Sequence, residues 1–140
     1  MVMEQLAVEI VGLCREYGEC RVEVERMEEA RRVKNALESV CSMARQRLDI
    51  SDPALLLALL DACEVTRDEG MLQEVLDVVG RNLDRLAVSV ESVKLLACCY
   101  YYVEEEECAE RARRMLEELR KLGMGEEELA DAETILEELT

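Results

Sequence analysis

Histidine, phenylalanine and tryptophan are all absent from the 140-residue chain, and proline occurs once. The missing histidine excludes the most chemistry: Ser-His and Cys-His nucleophile pairs, imidazole general bases and imidazole metal ligands. Zinc would need three or four thiolates gathered from separate segments, without the paired CxxC spacing that usually supplies them. Neither a glycine-rich phosphate loop nor a GxSxG-like turn is present. No catalytic residue, cofactor site or metal site is therefore expected, and the chain reads as a non-enzyme. Long apolar runs are lacking too. A run such as PALLLALL at Pro53 to Leu60 is far short of the roughly 20 residues a membrane span needs. Basic charge is scarce, with 17 Lys and Arg against 33 Asp and Glu and a formal charge of −16. Such a composition offers no broad basic face, so neither nucleic acid nor an anionic membrane is an expected partner.

What is present is apolar and acidic in helical register. Half of the residues are hydrophobic, enough for one domain with a real core. The last 40 residues, 101–140, hold 14 acidic and 5 basic side chains. A basic partner could be steered there, although glutamate runs also serve simply as solvated helix faces. The opening MVMEQLAVEIVGLC is acidic and amphipathic rather than basic then apolar, which is not the pattern of a signal peptide. A cytoplasmic location is expected. Seven cysteines, an odd number with no CxxC pair, argue against a secreted disulfide framework and for buried free thiols.

Three- and four-residue spacing of apolar side chains predicts helices almost throughout. The first covers about Met3 to Tyr17 and is expected to end at Gly18. The region Arg21 to Leu48 is long for one helix, and the spacing leaves open a break near Met27. Ser51-Asp52-Pro53 is a strong helix start, opening a third helix to about Val65. Asp68 can cap a fourth running to about Leu86, and Ser89 a fifth over Val90 to Val103. The sixth spans about Glu105 to Leu122, closed by Gly123 and Gly125, and the last runs from about Glu126 to Leu139. LLDAC at Leu59 to Cys63 aligns with LLACC at Leu95 to Cys99, an offset of 36. Carried onward, that offset pairs Leu72 with Cys108, Leu76 with Ala112 and Val79 with Met115. A helix pair thus repeats at the size of an α-hairpin unit.

The segment SVKLLACCYYYVEEEECAERARRMLEELRKLGM resembles the tetratricopeptide and pentatricopeptide helical-hairpin families. Leu96, Ala97 and Tyr100 fall at the large, small and aromatic positions of the first helix, and Cys108, Ala112, Met115 and Leu116 match the second. The proline expected after the second helix is missing, and the turn is one residue short. The resemblance covers residues 54–123. It implies an all-α fold: a short right-handed superhelical stack of antiparallel hairpins, α-solenoid-like, with about seven helices in one domain. That domain comprises N-terminal helices over 1–48, repeats over 53–87 and 89–123, and a covering helix over 126–139.

On the fifth helix, Ser92, Leu95, Leu96, Cys99, Tyr102 and Val103 share the face turned to the sixth helix. Cys98 and Cys99 cannot easily bridge, because neighbouring Cα atoms lie about 3.8 Å apart, under the usual ~4.4 Å minimum. The glutamates open the sixth helix, where the macrodipole favours negative charge, and Glu107 and Glu110 stand four residues before Arg111 and Arg114. The stripe Glu91, Lys94, Cys98 and Tyr101 is left over. One repeat earlier, the offset of 36 places Leu55, Ala58, Ala62 and Val65. The resemblance implies that first helices line a concave groove, so Leu55, Ala58, Ala62, Glu91, Lys94, Cys98 and Tyr101 are the candidate partner-binding residues. A partner helix or extended peptide would fill such a groove. Two alternatives stay open: the apolar half could be ordinary core, or the stripe could be the interface of a homo-oligomer.

Overall fold

Helix ends in this chain are set by a small number of side chains. In the computed structural model, which describes residues 3–140, Asp52 accepts a hydrogen bond from the Leu55 amide at 3.1 Å, with Pro53 in the first turn. Asp68 accepts from the Met71 amide at 3.0 Å, and Ser89 from the Ser92 amide at 3.1 Å. Each cap satisfies an amide that has no partner within its own helix. The helices are α1 (Met3–Cys20), α2 (Met27–Arg45), α3 (Pro53–Thr66), α4 (Glu69–Arg81), α5 (Val90–Val103), α6 (Glu106–Lys121) and α7 (Glu126–Leu139). No strand occurs among the described residues, and the fold is all-α. Gly123, at φ +92°, closes α6: its amide donates to the Arg120 carbonyl at 3.0 Å, and the Met124 amide to Leu119 at 3.1 Å. This is the double closure that glycine favours, since it carries no Cβ to clash.

Two boundaries differ from the sequence reading, and the break it left open near Met27 is present. First, α1 runs through Gly18 to Cys20. The Cys20 side chain is fully buried close to the Glu29 carboxylate, which Arg26 grips at 3.0 Å. Anchoring this corner outweighs the roughly 1 kcal/mol that glycine costs inside a helix. The region after α1 is broken: a single 3-10 turn at Val24–Arg26 precedes α2. Second, α4 stops at Arg81, and Leu83 and Leu86 are buried instead from a 3-10 turn at Leu83–Arg85. Arg111 holds that turn, donating to the Leu83 carbonyl at 3.4 Å and pairing with Asp84.

The chain divides into two compact units, one reaching to Val78 and one covering Val79–Thr140, with the division inside α4. In the first, α1 packs along both α2 and α3, and α2 also touches α3. Leu6, Ile10, Leu37, Leu55, Leu56, Leu59 and Met71 are among its fully buried large side chains. Arg45 ties α2 to the start of α4, bonding Glu74 through Nε at 2.9 Å and Asp68 at 3.4 Å. These partly exposed pairs are each worth about 0–1 kcal/mol, so they set position more than stability. In the second unit, α5 packs along both α6 and α7, and α6 also touches α7. Leu95, Leu96 and Leu129 are fully buried there. Both units share one wiring, in which a helix packs on its successor and on the helix after that.

The two helix pairs α3–α4 and α5–α6 are in register at an offset of 37. The caps Asp52 and Ser89, the helix starts Pro53 and Val90, and the starts Glu69 and Glu106 are each that far apart. So are Arg67 and Glu104, the two non-glycine residues with positive φ, at 58° and 53°. Burial follows the same register. Leu55, Leu56, Ala58, Leu59, Leu60 and Ala62 map onto Ser92, Val93, Leu95, Leu96, Ala97 and Cys99, all buried. Met71, Val75 and Val79 map onto Cys108, Ala112 and Leu116, also buried. The offset of 36 read from the LL pairs is therefore one residue short.

Candidate functional site

One residue of slip rotates a helix position by about 100°, enough to exchange core for surface. Leu55, Ala58 and Ala62 show this. They are 1%, 1% and 0% exposed, core side chains of the first unit on the helix that packs against α1 and α2. They offer no surface to a partner, which corrects the expectation that they line a groove. At the offset of 37, the α3 counterparts of Glu91, Lys94, Cys98 and Tyr101 are Ala54, Leu57, Asp61 and Glu64. Of these, Ala54 and Leu57 are half-buried, while Asp61 and Glu64 are exposed. The outer stripe of α3 is thus acidic toward its C-terminal end, not apolar.

The second unit keeps its part of the expected site at the surface. Glu91 is exposed, Lys94 and Cys98 are half-buried, and Tyr101 is 61% exposed. The Tyr101 ring meets the neighbouring Tyr102 ring edge-on, with centroids 5.2 Å apart and planes at 80°. That contact fixes the orientation of a large amphipathic side chain in the open. The loops from α5 to α6 and from α6 to α7 are short, so successive helices run antiparallel and α5 and α7 run the same way. Counted from their caps Ser89 and Gly125, Glu127, Ala130, Thr134 and Glu137 of α7 occupy the positions of Glu91, Lys94, Cys98 and Tyr101. All four are exposed. Glu91, Lys94 and Tyr101 thus share one stripe of α5, and Glu127 and Glu137 occupy the corresponding stripe of α7. The α7 contribution was missed in the sequence because no letter identity marks it; the cap spacing would have found it.

None of the seven cysteines is in a disulfide, and burial keeps several of their thiols inert. Burial pushes Cys41 up to about 11, and it pushes Cys14 and Cys63 up to about 12. Cys99 is raised further by burial, with the adjacent Cys108 and Cys98 adding to it, and Cys108 is raised by burial. A nucleophilic or ligating cysteine needs a shift in the opposite direction. Among the described residues no group of three or more Cys, Asp and Glu is arranged to hold a metal ion. The glutamates after Val103 have local uses. Glu107 pairs with Arg111 at 3.1 Å, as its four-residue spacing suggests, while the second pair is Glu106 with Arg113 at 3.5 Å rather than Glu110 with Arg114.

Clefts also lie apart from the outer stripe. One of about 220 Å³ in the first unit is lined by Cys41, Arg45, Thr66, Asp68 and Met71, among others. Another of about 360 Å³ in the second unit brings Leu86, Val88 and Met115 together with Arg111, Arg114 and Lys121, but also with Glu117 and Glu118. Its mixed charges select no ligand sign. Among the described residues no helix is long and apolar enough to cross a membrane. Compared with known proteins, the chain matches no family model, no curated protein and no solved structure.

Proposed function

We propose that this chain is a non-enzymatic helical-repeat module of the tetratricopeptide-like type, binding a protein or peptide through the outer face of its first helices. In this reading α1, α3, α5 and α7 are first helices, and α2, α4 and α6 are the second helices of a short right-handed stack. The shared wiring of the two units and the 37-residue register of caps, left-handed closures and burial support the repeat. The single observation that carries the binding face is Tyr101, an aromatic side chain 61% exposed on a helix that buries Ser92, Val93, Leu95, Leu96, Ala97 and Cys99. Exposed tyrosine bordered by charge is common at protein interfaces and uncommon as mere solvated surface.

The end of the stack fits the same picture. The positions of α7 that correspond to the α6-facing residues Ser92, Leu95, Cys99 and Tyr102 of α5 are Glu128, Asp131, Ile135 and Glu138. Three of the four are acidic and exposed, a solvated face.

Selection of peptides from a displayed library on the full chain, followed by affinity measurement, tests the reading. The double variant Tyr101→Ala with Lys94→Ala should lose binding while keeping its helical circular dichroism. Unchanged affinity in a folded double variant would remove this face from the account.

A further inference from the structure

We draw no further inference here: the strongest candidate, the apolar cleft of about 300 Å³ that Val88 and the exposed Leu122 form with Glu118 and Lys121 at the end of α6, carries nothing because nothing in the structure shows what covers it.

Discussion

Arg67 and Glu104 provide a test in which the sign of the effect decides. Both follow a first helix and sit in the left-handed region, at φ 58° and 53°, and the Glu104 amide closes α5 on the Tyr100 carbonyl at 2.7 Å. A non-glycine side chain in that conformation costs about 1–2 kcal/mol. Glycine removes this cost but loses about 0.5–1 kcal/mol of backbone freedom on folding. The difference favours glycine, so Arg67→Gly and Glu104→Gly should each stabilise by about 0.5–1 kcal/mol. Both side chains are exposed, and neither holds an ion pair or hydrogen bond among the described residues, so little is lost with them. They lie in different units, and the double variant should gain the sum to within about 0.5 kcal/mol. Urea unfolding followed by far-UV circular dichroism measures the gain, with each unit's transition fitted separately if the two do not coincide. Glu104→Asn, which also tolerates the left-handed region, separates the conformational gain from the lost charge. In an ordinary helical conformation, glycine would instead cost about 1 kcal/mol. A loss of that size at either position would refute the left-handed closures and the 37-residue register built on them.

Further expectations follow from the same register. Asp52→Ala and Ser89→Ala remove equivalent caps and should each cost about 0.5–2 kcal/mol in urea unfolding. Leu59→Ala and Leu96→Ala empty equivalent positions that are both 0% exposed, and each should cost about 2–5 kcal/mol, with neither near the surface value of about 0.5 kcal/mol. Glu74 is held below the usual carboxylate range, chiefly by its hydrogen bond from Arg45. Its contribution is present above the unfolded carboxylate pKa and lost as pH falls through the lowered folded value, so Glu74→Gln should flatten the acid limb of the stability curve. Alkylation of the native protein at neutral pH should reach half-exposed Cys98 well before buried Cys99, as mass spectrometry of the labelled peptides will show.

Local chemistry made most of the helices legible in the sequence. Asp52 before Pro53, the serine before Val90 and the glycine at 123 act through one or two hydrogen bonds, and each stands where it was expected. Gly18 misled because its effect is local while the burial of Cys20 is tertiary. The fourth helix was read too long because Leu83 and Leu86 keep an apolar rhythm that a 3-10 turn can also bury. The site was mis-sited in its first half for one reason: identical letters at Leu59–Leu60 and Leu95–Leu96 suggested an offset of 36. The backbone, however, is paced by the caps and by left-handed closures at Arg67 and Glu104. Those closures carry no glycine, so nothing in the residue types announced them.

The central claim is that the face carrying Tyr101 is open to a partner rather than buried against a second copy. Light scattering over a range of concentrations tests it most directly. The account predicts a single species of 16.0 kDa throughout, unchanged by Tyr101→Lys. A stable species of twice that mass, dissociated by Tyr101→Lys, would make the face the chain's own interface and contradict the account.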